Sequence, residues 1–248
     1  NPWINVKHQF SQPWVPIHMF AWFMRYLLMR DIWITWIASI SFELFELTFR
    51  HILADFWECW WDHIIVDVLI CNMFGIIMAK FSQDLFKIES YKWRVFASFR
   101  NMFCVAYIFY FNIVMDVWTF FWTQSFEVPT ENLFQTLRIA IFFILGLAFF
   151  PDLYKWCNNP KKFIPGRGFM LMIIVTILEA VFVTKYAYDL LFIWPPTHVI
   201  IMWAVVLTLL ALMFIKLWDY LENRRLRKEK RRAAKQKRKQ ADDEAKNQ

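Results

Sequence analysis

Glycine is nearly absent, at 4 of 248 residues. That scarcity goes with the absence of two glycine-built motifs: there is no GxxxxGK[ST] phosphate loop and no GxSxG nucleophile elbow. The glycine-dependent aspartate signature of the CDP-alcohol phosphotransferases is missing as well, since four glycines cannot supply it. No HExxH pair stands on any apolar stretch, so the usual helical zinc-hydrolase pattern is absent. Cysteines occur at Cys59, Cys71, Cys104 and Cys157, without CxxC spacing or pairing logic, and no disulfide is assigned. No internal repeat and no signal peptide are visible.

What is abundant is apolar surface. The chain is 59% hydrophobic and 21% aromatic, with 15 Trp and 28 Phe. A soluble protein of this length has no way to hide so many large rings. The long apolar runs imply an all-α, polytopic transmembrane bundle. About seven spans are predicted, near 15–29, 32–50, 60–80, 102–123, 134–150, 169–188 and 195–217. The first and fifth are short for a bilayer that needs about 20 apolar residues. Residues 1–220 form the membrane domain and 221–248 a basic tail. The start at Asn1, without Met, suggests a fragment or a processed form.

Charge sets an expected topology. Residues 221–248 carry 12 Lys/Arg against 5 Asp/Glu, whereas 1–220 carry 16 of each, so the net +7 sits entirely in the tail. The basic residues Arg25, Arg30, Lys80, Lys87, Lys92, Lys155 and Lys161 follow odd-numbered spans. Loops after even-numbered spans are poor in Lys and Arg. By the positive-inside rule the C-terminus is cytosolic. The tail is then a topology determinant rather than a nucleic-acid surface.

Against this background residues 41–72 stand out. They hold Glu43, Glu46, Asp55, Glu58, Asp62 and Asp67 with His51 and His63. Acids at membrane depth cost about 2.5–3.5 kcal/mol each on the insertion scale, so a cluster of them marks function. Glu43 and Glu46 (i, i+3) share a helix face, as do Glu58 and Asp62 (i, i+4). Two facing pairs supply hard oxygen donors suited to Ca²⁺, Mg²⁺ or Mn²⁺ rather than Zn²⁺. The plain alternative is local pairing with Arg50, His51 or His63, which accounts for one or two acids. Asp67 lies five residues after Asp62, about 140° round an α-helix, and is expected to face elsewhere. Asn72 is expected to lie deeper, closing a network or meeting a lipid group. His18, at the start of the first span, falls at the same membrane level and is a candidate general base. Arg138 and Glu179 lie inside spans five and six, and either pair within the bundle or meet a headgroup.

The segments ELFEL (43–47) and DFWECWWDHIIVDVLICN (55–72) resemble the base-exchange phosphatidylserine synthase family. That family carries E-L-x-E-L followed by N-F-x-E-C-W-W-D-x-x-x-x-D-x-x-x-C-N. HMFAWFMRYLLMRD upstream is similar to its H-F-W-G-W segment, and LEAVFVTKYAYDLL downstream to its L-E-A-x-x-x-x-K segment. The resemblance implies exchange of L-serine for the headgroup of phosphatidylethanolamine or phosphatidylcholine. It implies Ca²⁺ as the cofactor and the endoplasmic reticulum membrane as the location, with the active site towards the lumen. It also implies no nucleic-acid partner, leaves a homodimer open, and suggests that upstream spans are absent from this chain. The roles implied are catalytic for His18, Glu43 and Asp67, metal-holding for Glu46, Glu58 and Asp62, and substrate-binding for Asp55, Asn72 and Arg138. Asp55 departs from the family's Asn, and Met73 and Phe74 replace a small Gly-rich pair. FFPD (149–152) stands where the family has an Arg linked to product inhibition. The competing reading is a cation or lipid transporter that uses the carboxylates as an ion path.

Overall fold

The computed structural model describes residues 14–57, 61–128 and 132–246. It divides into two units, 1–194 and 195–248. All regular structure among the described residues is helical. In the first unit α1 is Trp14–Met29, α2 Ile32–Phe49, α3 Asp62–Leu85, α4 Phe99–Met115, α5 Val117–Phe126, α6 Leu133–Asn158 and α7 Arg167–Tyr186. The second unit is one helix, α8, Thr197–Lys246.

Six helical segments are long and apolar enough to cross a membrane, with α4 and α5 counting as one. Of the first predicted span, the described residues form a 16-residue helix, Trp14–Met29. The fifth is corrected. Instead of ending near Pro151, α6 runs 26 residues through that proline to Asn158. The fourth predicted span is broken, because α4 stops at Met115 and α5 starts at Val117, with Asp116 between them. α8 continues without interruption past residue 220, where the composition turns basic.

The turn between α1 and α2 is tight and chemically specified. Arg30 takes a left-handed φ of 49°, ending α1. Asp31 then caps α2, its carboxylate accepting from the amides of Trp33 (3.0 Å) and Ile34 (3.1 Å). That reversal lays α2 antiparallel to α1, so the start of α1 and the end of α2 share one end of the bundle.

Close helix contacts rest on the few glycines. α1 packs against α3 at Gly75, where an added Cβ would collide with the Met19 carbonyl. On α7, a Cβ at Gly168 would come 2.6 Å from the Ala148 Cβ of α6. Small residues at such crossings are how membrane helices approach closely enough to gain dispersion contacts. Trp22, Tyr26, Phe111, Phe121, Phe142, Phe149 and Phe150 fill the interior. The outward faces of α3, α4, α6 and α7 expose Ile, Leu and Phe, as lipid-facing surfaces do.

Candidate functional site

α3 opens in an unusual way. Residues Asp62–Asn72 form a π-helix, and only from Met73 does the ordinary α-helix begin. Its hydrogen bonds run i→i+5, so residues five apart stack on one face instead of diverging. Asp62, His63, Val66, Cys71 and Asn72 are buried and Asp67 is half-buried, while Ile64, Ile65 and Leu69 are exposed. Asp62, Asp67 and Asn72 therefore occupy successive turns of one inward face. The expectation that Asp67 points about 140° away from Asp62 assumed α geometry, and the π-helix overturns it. Wide helical turns of this kind recur at functional sites.

α2 supplies the facing side of the cluster. His63 Nδ1 lies 3.2 Å from Glu43 Oε2 and 3.1 Å from Glu46 Oε2. One ligand atom from each of the three residues falls within 4.8 Å of the other two. Asn72 Nδ2 donates to Ser39 Oγ at 2.7 Å and to Glu43 Oε1 at 3.4 Å. Glu43 is thus gripped from one side by His63 and from below by Asn72. Asp62 lies within the electrostatic reach of Glu43 and His63. His18 on α1 sits beside Glu43 and Asn72, with Trp22 Nε1 donating to its Nε2 at 3.3 Å. Three helices thus bring His18, Glu43, Glu46, Asp62, His63 and Asn72 to one buried polar cluster. Glu58 lies outside the described residues, as does the side chain of Asp55.

His63 is the member that sequence reasoning passed over, as it counted only among local counter-charges. The missed signal was its place directly after Asp62, a neighbour that a π-turn keeps on the buried side. Asn72 closes the network beneath Glu43, one of the two roles foreseen for it.

Arg138 belongs to a second polar centre. It is on α6 and is buried, and each of its five N–H groups is engaged. Nε and one Nη reach Glu179 of α7 at 2.8 and 3.0 Å. The remainder go to the carbonyls of Val114 (2.6 Å) and Met115 (3.4 Å) and to Thr119 Oγ1 (2.8 Å). These partners flank the Asp116 break, where Arg138 donates to the Val114 carbonyl and shares the Met115 carbonyl with Thr119 Oγ1, which donates to it at 2.6 Å. Of its two foreseen roles, the structure displays pairing within the bundle. Asp116 itself is ion-paired with Arg25 of α1. A cavity among the described residues lies apart from both centres. It measures about 720 Å³ and is bordered by Arg30, Tyr91, Tyr154, Lys155 and Lys162.

A family model described as phosphatidyl serine synthase matches residues 1–101 and 86–187. The chain belongs to the phosphatidyl serine synthase family. The match takes in α1 through α7 and so contains every residue of the cluster. Curated relatives include CDP-diacylglycerol–serine O-phosphatidyltransferase 2 of Oryza sativa subsp. japonica, 25% identical over 93% of this chain and 62% of its own length. Phosphatidylserine synthase 2 of Danio rerio is 26% identical over 87% of this chain and 56% of its length. Phosphatidylserine synthase 2 of Homo sapiens is 27% identical over 69% and 42%. The chain therefore spans about half the length of these curated relatives.

Proposed function

We propose that this chain carries the catalytic bundle of a phosphatidylserine synthase working by base exchange. L-serine replaces the ethanolamine or choline headgroup of a phospholipid, in the endoplasmic reticulum membrane, with the cluster towards the lumen and the tail in the cytosol. The observation that carries the reading is the cluster itself: carboxylates from α2 and α3, an amide and two histidines, assembled in the region that matches the family. A chain lacking both nucleotide-phosphate loops and the CDP-alcohol signature needs a reaction without an activated donor. Exchanging one phosphodiester for another is nearly isoenergetic and needs none.

The donor chemistry fits calcium through its oxygens. Glu46 and Asp62, with Glu58 and with Glu43 near, are the residues to hold it, whereas the nitrogen of His63 suits a softer ion. When bound, calcium neutralises charge on the phosphodiester oxygens. His63 spans Glu43 and Glu46 and keeps the two carboxylates from repelling one another. Asn72 and Ser39 fix Glu43 from the opposite side. His18 accepts the proton of the serine hydroxyl and returns it to the departing amino alcohol. The burial of Asp62 and Asn72 limits water that would otherwise hydrolyse the lipid.

The test is incorporation of labelled serine into lipid by membranes expressing the full-length protein, without nucleotide, with calcium or with a chelator. Incorporation that needs calcium and is lost in His18→Ala and Glu46→Gln supports the reading. The rice relative's name points to another donor, so CDP-diacylglycerol is added in a parallel arm. Incorporation only in that arm overturns base exchange. Absence of incorporation in every arm, with calcium flux across the vesicles, favours the transporter.

A further inference from the structure

His18 and Trp22 are four residues apart on α1, so their side chains meet on one helix face. The Trp22 ring is completely buried. The Arg25 guanidinium lies over it, 4.6 Å from the ring centroid, and Arg25 is held in turn by Asp116 of the α4–α5 break. The indole is therefore fixed in place by groups that belong to the second polar centre. Its N–H is directed at His18, with Nε1 3.3 Å from Nε2.

This contact has a chemical consequence. An indole nitrogen donates and never accepts. His18 Nε2 must then carry the lone pair, and the proton of the neutral imidazole lies on Nδ1. An unconstrained imidazole distributes its proton between both nitrogens, and its ring can turn. A proton acceptor in a mechanism needs one lone pair at one location.

We propose that Trp22 is a positioning residue for His18, its indole N–H holding the imidazole as the Nδ1–H tautomer with the Nε2 lone pair reserved for the incoming hydroxyl. The proposal rests on the reading of His18 as the base in serine exchange. The hydroxyl takes the place of the indole as donor to Nε2, and the displaced indole N–H, being buried, takes a new acceptor or leaves a cost that serine binding offsets. The serine O–H bond then breaks as the Nε2–H bond forms, and the serine oxygen bonds to phosphorus. The headgroup oxygen leaves phosphorus and takes the Nε2 proton. Arg25 and Asp116 enter only by fixing the indole.

The experiment uses the full-length protein in nanodiscs, labelled with ¹⁵N in histidine, with a His18→Ala spectrum subtracted for assignment. The expected wild-type signature for His18 is a pyrrole-type Nδ1 and a pyridine-type Nε2. Trp22 is then replaced by β-(3-benzothienyl)alanine, which keeps the ring shape and has sulfur in place of N–H. Trp22→Phe serves as a second variant. The expected results are loss of the fixed tautomer and a fall in kcat for serine incorporation of about tenfold or more, by analogy with the loss when the partner that orients a metal-ligating histidine is removed. KM for serine and the unfolding temperature of the benzothienyl variant stay at wild-type values. Full kcat in the benzothienyl variant, or a wild-type spectrum with the proton on Nε2, overturns the proposal. If the wild-type chain shows the tautomer and the benzothienyl variant loses it, while neither makes phosphatidylserine, the indole's hold on His18 stands and the functional reading falls.

Discussion

Arg138→Leu separates a structural from a substrate-binding role for this residue. The guanidinium supplies two N–H groups to Glu179, one to each of the Val114 and Met115 carbonyls, and one to Thr119. After substitution the Glu179 side chain, 13% exposed, keeps, among the described residues, the Trp122 indole donor at 3.0 Å. Removing one partner of a buried ion pair costs about 3–5 kcal/mol, because the other charge remains and has no counter-ion. Lost interhelical hydrogen bonds alone average about 0.6 kcal/mol each in a membrane protein. The orphaned carboxylate should therefore dominate. The double variant Arg138→Leu/Glu179→Leu removes it and should regain most of the loss, leaving about 1 kcal/mol for the carbonyls opened at the Asp116 break. Reversible denaturation of the full-length protein in micelles gives both numbers, with serine incorporation measured alongside. A single variant within about 1 kcal/mol of wild type would refute the reasoning. A raised KM for phospholipid at unchanged stability would assign Arg138 to the headgroup instead.

Deleting Ile65, an exposed residue within the π-helix, should return the register towards α geometry, which keeps Asp62 and Asp67, then four residues apart, on one face but turns Asn72 about 180° from Asp62. Far-ultraviolet dichroism should stay helical while serine incorporation disappears, and retained incorporation would show that the wide turns are not needed. Gly75→Ala forces a Cβ against the Met19 carbonyl, a backbone atom that cannot swing aside, and should cost about 1–3 kcal/mol in the same denaturation assay. His63→Leu leaves Glu43 and Glu46 facing each other without their shared donor, and should be less stable than His63→Gln, which retains an N–H. A cysteine-reactive probe should label a cysteine added at the C-terminus of sealed microsomes without detergent, and protection there would reverse the topology inferred from the loops.

The helical membrane architecture was legible in the sequence because lipid leaves a chain few options. Long apolar runs must be helices when no water is present to satisfy the backbone. The importance of residues 41–72 was legible for a related reason: acids are costly at that depth, and their i, i+3 spacing places Glu43 and Glu46 on one face. The motif around them carried the family likeness that the family match bears out. Tertiary structure decided what local periodicity cannot encode. It set α3 in a π register, so that Asp67 joins the face of Asp62, a difference of one hydrogen-bond step that composition does not reveal. It placed His63 between two glutamates from another helix. It turned Arg138 towards a broken helix, where it donates to the carbonyls of Val114 and Met115. For His63 and Arg138 the deciding partner lies on a helix distant in sequence, and burial without water makes satisfying that partner obligatory.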